Sequence, residues 1–387
     1  MDFYLSAEQK AIQQAAEEFA KGEFTREVAL EHERAHSFPR QLWKKACELG
    51  FVGLHYPEEY GGQGYGVLEN ALVAEALCRH DSGLGVALTH ADSSAEMILR
   101  FGSGEQKKKY LPAHAGGEAI SSGAFTEPDH GSDLTALSTT AVREEGGFRI
   151  NGTKTFTSNG PICDFVIVLC QTDAQARPLY RGQSALIVER GASGFTASDI
   201  GEKMGNHMGA TGELSFNDVW VPAGQLVGKE NRGFYQALLL FEEIRIEIAA
   251  QALGIAQGAF DRALRYVKQR SQFGKALAHF DTVRHRLAEM VMQIETARLM
   301  VYKAAWSFDQ EEIDPKVTSI AKAYAARVAA EVADAAIQLL GGYGYMLEYD
   351  VERFYRDARL ASIFGGTQEI QKKIISGHLL ATFRAPA

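Results

Sequence analysis

A double change of hydrophobic period limits how this chain can fold more than any other feature. Up to about Leu111, apolar residues recur at helical spacing: "SAEQKAIQQAAEEFA" opens on Ser6 as an N-cap, and "VLENALVAEALCRH" repeats the period after the loop "HYPEEYGGQGYG". After Gly117 the texture turns to short β-rich runs, "FRING", "KTFTSNG", "FVIVLCQ", "SALIVER" and "GELSFNDVWVP", spaced by glycine-bearing turns that suit an antiparallel sheet or barrel. From Gly233 the helical period returns in long, alanine-rich segments, among them "FYQALLLFEEIRIEIAAQALGIAQGAFDRALRYVKQR" and "VTSIAKAYAARVAAEVADAAIQLLG". The expected fold is therefore α+β and multidomain: an N-terminal α-helical domain over 1–117, a middle antiparallel β domain over 118–230 and a C-terminal α-helical bundle over 231–387.

Bulk chemistry narrows the function. The chain of 387 residues, 46% hydrophobic and 23% charged, is long enough for several domains sharing large cores. A net charge of -9 and a pI near 5.7 disfavour nucleic acid or an anionic membrane as partner, so an anionic ligand must be met by local positive charge. Cys47, Cys78, Cys163 and Cys170 show no metal-ligand spacing, which predicts no metal site and a reducing compartment. The start "MDFYLSAEQK" is unlike a basic signal or transit peptide, and no apolar run reaches roughly 18 residues. A cytoplasmic protein is expected. Lys107–Lys109 reads as a solvated helix face.

Three segments carry chemistry. "AFTEPDHGSDLTA" (124–136) packs small and hydroxyl residues so densely that backbone N–H groups stay accessible, as a pyrophosphate or flavin edge requires, although a polar turn capped by Asp133 has the same composition. "QLLGGYGYMLEYDVERFYRDARL" (338–360) places Gly341, Gly342 and Gly344 between two helices; with no preceding strand and no G-x-G-x-x-G, it is not a nicotinamide fingerprint. "ASIFGGTQEIQKK" (361–373) puts two glycines where one would relieve backbone strain, so the second marks a missing side chain.

Together these segments resemble the two signatures of the acyl-CoA dehydrogenase family. Gln338, Gly341, Gly342, Gly344, Tyr345, Glu348, Arg353 and Asp357 fit the second throughout; Glu127, Gly131, Ser132, Asp133 and Ala136 fit the first, with Phe125 and His130 departing from it. "YPEEYGGQG", "QRSQFGK" and the α–β–α order agree. The resemblance implies FAD held between the β domain and the C-terminal helices of a homotetramer, an acyl-CoA substrate, and an electron-transfer flavoprotein as acceptor. By motif position, Phe125, Thr126, Gly131 and Ser132 would line the flavin and pyrophosphate, Ser132 also facing substrate, with Phe156 and Ser158 against the isoalloxazine. Arg270, Phe273, Gln338 and Gly342 would reach the partner subunit's dinucleotide, completed by Thr367 and Glu369; a buried pyrophosphate calls for the fixed positive charge of an arginine. Phe241, Glu242 and Arg245 would touch the CoA chain.

The same resemblance exposes a gap. A carboxylate must take the substrate's α-proton while a hydride leaves for flavin N5, and in most relatives it is a glutamate immediately before Gly-Thr, here Gly365. Some relatives place it directly before the arginine matching Arg245, here Ile244. Glu243 is one residue off, a rotation of about 100 degrees on a helix. The pocket segment "GVALTHADSSAEM" (85–97) offers Asp92 as a relocated base and His90 as a second candidate. Against this stands a purely structural role for Asp92 beside a Ser93–Glu96 capping box. The pattern resembles the branch acting on alicyclic thioesters of the cyclohex-1-ene-1-carboxyl-CoA type, where a γ-proton is lost, and Gly365 would leave room for a ring. A redox-dead scaffold, a conventional short- or medium-chain enzyme with a relocated base, and a flavin oxidase or monooxygenase are the alternatives.

Overall fold

The computed structural model describes residues 4–90 and 94–382. Seven helices come first: α1 Ala7–Glu23, α2 Arg26–Ala35, α3 Arg40–Glu48, α4 Val67–His80, α5 Ser82–Thr89, α6 Glu96–Phe101 and α7 Gly104–Ala115. Ser6 caps α1 as its sequence predicts, in a full capping box with Gln9. Eight strands follow: β1 Ser121–Ala124, β2 Thr140–Glu144, β3 Gly147–Ser158, β4 Phe165–Gln171, β5 Gln183–Glu189, β6 Phe195–Asp199, β7 Thr211–Pro222 and β8 Leu226–Val227. The C-terminal part comprises α8 Gly233–Gln269, the ribbon β9 Ser271–Gln272 and β10 Lys275–Ala276, then α9 Asp281–Asp309, α10 Pro315–Leu340, α11 Val351–Leu360 and α12 Gln368–Thr382.

The sheet runs β6-β7-β3-β2-β4-β5-β8, with β1 beside β4. Most pairs are antiparallel, but β1 and β2 both run parallel to β4, which departs from the purely antiparallel expectation. The loop after β1 and the β2–β3 hairpin act as the crossover that parallel pairing requires. "FRING" and "KTFTSNG" form one strand, because the sheet absorbs Gly152 as a register shift between Ile150 and Gly152 rather than a turn. Strand β4 is buried on both faces: Phe165, Ile167 and Leu169 join the helical core, while Val166, Val168 and Cys170 join a core with Phe148, Ile150 and Leu214.

Helix α8 organises the molecule, packing against α4, α9 and α10. A Cβ at Gly254 would lie 2.3 Å from the Glu75 carbonyl oxygen, and one at Gly258 would lie 2.3 Å from that of Arg79, so only glycines let α4 approach α8 this closely. The core on this side is continuous from Leu68 and Leu111 through Ile167 and Ile187 to Leu253 and Ala329.

Candidate active site

The double-glycine turn joins α11 to α12. Gly365 has φ +60 and Gly366 φ +90, so both occupy the left-handed region, which explains why one glycine would not suffice. Thr367 then caps α12 through its hydroxyl, which accepts from the Ile370 N–H at 3.3 Å. The turn is held through its carbonyls. Gln371 Nε2 donates to the oxygens of Gly365 (3.2 Å) and Gly366 (2.9 Å), and Lys322 Nζ donates to Gly366 O at 2.6 Å. Lys322 and Gln371 are fully buried. Burial, with the charge of Arg245 adding to it, brings the Lys322 ammonium down to about 7. Sequence reasoning passed over both residues; the available signal was an ionisable side chain within the alanine-rich face of α10.

Opposite the turn stands α8. A Cβ on Gly365 would lie 2.3 Å from Ile248 Cδ1 and 3.8 Å from Ile244 Cγ2. The side chain missing at Gly365 therefore opens no room for a ring: Ile248 occupies that volume, correcting the expectation of a widened pocket. Ile244 and Ile248 present an apolar wall where a carboxylate was sought, and Glu243, as its rotation predicts, faces away. Its carboxylate takes bonds from Arg100 Nε and an NH₂ group, each at 2.7 Å. With His55 and Glu96 it forms a buried cluster whose three donor atoms lie within 4.8 Å of one another, a set able to ligate a cation, although Arg100 already supplies positive charge there. Burial, then the nearby Glu96 charge, push Glu243 up to about 7.

Asp92 and Ser93 lie outside the described residues. Glu96 bonds His55 Nε2 at 2.5 Å, and the N-cap of α6 is Ala95, so the described part of the expected capping box is not formed. His90 is the half-buried C-cap of α5, its ring 5.4 Å from that of Phe364 and its Nδ1 3.9 Å from Glu247 Oε1. Burial lowers its pKa to about 4. The unfolded chain, with histidine near 6.5, then binds the proton that the native state refuses, so this stability is present above pH 6.5 and is lost as pH falls through 4. Urea titrations from pH 7 to 4 should show His90→Gln flattening that loss, by up to about 3 kcal/mol.

The loop after β1 is pinned from below by Glu127, which accepts from Ser138 N (2.7 Å), Ser138 Oγ (2.6 Å), Thr139 N (2.9 Å) and Lys154 Nζ (2.9 Å). Burial alone would raise this carboxyl, but the Lys154 charge and the Ser138 bonds outweigh it and hold it at about 2. Glu127→Ala leaves a fully buried ammonium without its counter-charge and should cost roughly 3–5 kcal/mol. Thermal denaturation at pH 7 checks this, with the deficit shrinking as wild-type Glu127 itself is protonated towards pH 2.

Around this loop the structure gathers several expected cofactor residues. Thr126 O accepts from Thr155 N at 2.9 Å, which sets Phe125 and Thr126 beside Phe156 and Ser158 of β3. Phe125 packs edge-to-face on Phe241 of α8 at 5.1 Å. Gly131 and Ser132 are exposed on the same loop. Phe156 is 69% exposed at φ +51, and open space surrounds Gly131: an uncovered apolar ring and bare backbone fit a flat aromatic group with a phosphate tail. Arg270 and Phe273 form a second group at the far end of α8, with the Arg270 guanidinium 5.9 Å from the Tyr343 ring, beside Gln338 and Gly342. Thr367 and Glu369 belong to the double-glycine turn and the start of α12. Glu242 and Arg245 are buried and bonded to each other, and Thr318 Oγ1 also donates to Glu242.

An α–β–α chain with an uncovered aromatic ring on its sheet and a double-glycine turn against its longest helix agrees with the flavin-dependent oxidoreductase that the resemblance implies. Comparison with known proteins makes this definite. Residues 6–118, 122–219 and 231–380 match the N-terminal, middle and C-terminal domains of acyl-CoA dehydrogenase. The chain is 41% identical to a short-chain-specific acyl-CoA dehydrogenase of Clostridium acetobutylicum, over 98% of this chain and 100% of that one. It is 37% identical to subunit CarC of the caffeyl-CoA reductase-Etf complex of Acetobacterium woodii, over 97% of this chain and 99% of that one. The butyryl-CoA dehydrogenase structure from Megasphaera elsdenii superposes with a TM-score of 0.94 at 37% identity, covering 98% of this chain and 100% of that one. The chain belongs to the acyl-CoA dehydrogenase family and is an FAD-dependent oxidoreductase acting on CH–CH bonds.

Proposed function

We propose that this enzyme dehydrogenates a compact acyl-CoA thioester with a base outside both glutamate positions of its family, Asp92 being that base. One observation carries the reading: the two family positions for the base are Gly365 and Ile244, and with Ile248 they make an apolar surface. The proposed substrate class is an unsaturated alicyclic thioester of the cyclohex-1-ene-1-carboxyl-CoA type, whose acidity is relayed through the double bond to the γ-carbon; its ring would lie away from Gly365, where Ile248 fills the space. FAD, when bound, takes up the hydride. Phe125, Thr126, Phe156 and Ser158 would hold the flavin ring, and Gly131 and Ser132 its phosphates. Lys322 and Gln371 fix the turn whose residue 365 N–H would polarise the thioester carbonyl. Phe241, Glu242 and Arg245 remain the proposed CoA contacts.

We propose a homotetramer; the two separated groups of cofactor residues support a partner subunit at each site. Phe241 lies near the start of the 37-residue α8 and Arg270 at its C-cap, so they stand roughly 40 Å apart, farther than one dinucleotide reaches. Arg270, Phe273, Gln338 and Gly342 would therefore serve a partner's FAD, with Thr367 and Glu369 completing the site. An electron-transfer flavoprotein is the proposed acceptor, as the name of the CarC complex suggests for that relative. A cytoplasmic location is part of the same proposal; no described helix is long and apolar enough to cross a membrane.

Anaerobic mixing of the FAD-loaded enzyme with a panel of CoA thioesters tests the reading by flavin bleaching. Cyclohex-1-ene-1-carboxyl-CoA should bleach the flavin and saturated straight-chain thioesters should do so poorly. Rapid bleaching by butyryl-CoA would overturn the relocated base, and rapid oxygen consumption would favour an oxidase instead.

A further inference from the structure

The double-glycine turn hides two carbonyls and shows its N–H groups. Gly365 O and Gly366 O are tied from behind by Gln371 Nε2 of α12 and, at Gly366 O, also by Lys322 Nζ of α10 at 2.6 Å. In a trans peptide the C=O and N–H point opposite ways, so these bonds aim the N–H groups of Gly366 and Thr367 away from α10 and α12. Neither these nor the Gly365 N–H meets an acceptor among the described residues. As a fastener Lys322 is redundant, because Gln371 holds the same Gly366 oxygen at 2.9 Å without a charge. What Lys322 adds is the charge, and its placement is unfavourable. The residue is 0% exposed, and no carboxylate lies within ion-pair distance of it among the described residues. Arg245 of α8 is the one charge that bears on it, and it repels; the adjoining Glu242 is engaged by Arg245 and by the Thr318 hydroxyl, and α9, α11 and α12 bring none. A buried cation with no counter-charge in the fold suits one that arrives with a ligand.

The acyl thioester supplies that charge as it reacts. When a base takes the substrate's proton, the C–H electron pair spreads onto the thioester oxygen, and donors already aimed at that oxygen stabilise it. We propose that Lys322 is a positioning residue for enolisation: its ammonium, acting through the Gly366 peptide, sets positive charge behind the N–H groups that meet the thioester oxygen. The inference rests on the acyl-thioester reading for what the turn contacts, but not on which residue is the base or what shape the acyl group has. Burial, then Arg245, bring the ammonium to about 7. The assistance is therefore at full strength below pH 7 and weakens above it, except where a bound enolate keeps the proton on the amine.

Acetoacetyl-CoA is the probe, because the proton between its two carbonyls can leave to buffer with no hydride transfer. Its complex with the FAD-loaded enzyme is followed by ultraviolet absorbance across pH, giving the midpoint at which the bound thioester becomes its enolate. In the parent enzyme this midpoint should lie below that of the free thioester. Lys322→Gln, which keeps a donor at the turn, and Lys322→Met should each raise it by about one unit, a tenfold weaker hold on the enolate, and Lys322→Arg should restore most of the difference. Gln371→Leu loosens the same turn without removing a charge and should move the midpoint less. A midpoint unchanged in Lys322→Gln and Lys322→Met, an equal shift in Gln371→Leu, or a parent enzyme that fails to bind the probe or to lower its midpoint would overturn the inference. Flavin bleaching by the thioester panel reports separately on the base and the acyl group, since no hydride leaves the probe.

Discussion

A glutamate introduced at residue 365 is expected not to convert this enzyme into a conventional acyl-CoA dehydrogenase. At φ +60 any side chain is in the left-handed region, which costs roughly 1–2 kcal/mol. A Cβ there would also lie 2.3 Å from Ile248 Cδ1, so either the turn or α8 must shift. Gly365→Glu should therefore lower stability by about 2–4 kcal/mol, read from urea denaturation, and give little bleaching with butyryl-CoA. Gly365→Glu combined with Ile248→Ala removes the obstruction. This pair relieves the clash but keeps the left-handed strain, and should raise the bleaching rate with butyryl-CoA about 100-fold over the parent, the smaller end of what a positioned general base contributes. A single Gly365→Glu variant that is already stable and fast would mean that Ile248 does not guard the site.

The second large effect concerns Asp92. If it is the base, Asp92→Asn should slow reductive bleaching by roughly 10²–10⁴-fold with the best thioester, leaving bound FAD and the melting temperature unchanged. Asp92→Glu should restore a measurable part of the rate. His90→Gln should act mainly on stability at low pH, because an imidazole at about 4 is a weak proton acceptor. Loss of activity in His90→Gln with full activity in Asp92→Asn would reverse the two roles.

Local order in this chain was legible wherever neighbours in sequence decide it. The run "VLENALVAEALCRH" is α4 residue for residue, the run read as 234–270 is α8 shifted by one, and Ser6 makes the expected cap. The resemblance assigned Phe125, Thr126, Phe156 and Ser158 to one cofactor, and the Thr155 N–H bond to Thr126 O joins the two segments that carry them. What stayed hidden depends on partners far along the chain. Glu96 looks like half of a capping box until His55 folds against it. Lys322 and Gln371 look like ordinary polar helix positions until Gly365 and Gly366 turn their carbonyls inward. The space beside Gly365 could not be judged from its own side chain, because Ile248 fills it from another helix. Parallel pairing of β1 with β4 was invisible because hydrophobic alternation does not record strand direction.

The close seating of Gly254 and Gly258 against the backbone of α4 has a consequence for motion. With the first and last domains locked at van der Waals distance and sharing one unbroken apolar interior, neither can swing as a rigid lid without tearing that interior open. Reactant and product must then pass by rearrangement of short connecting segments alone, and the chain should melt in one cooperative step instead of shedding a domain at a time.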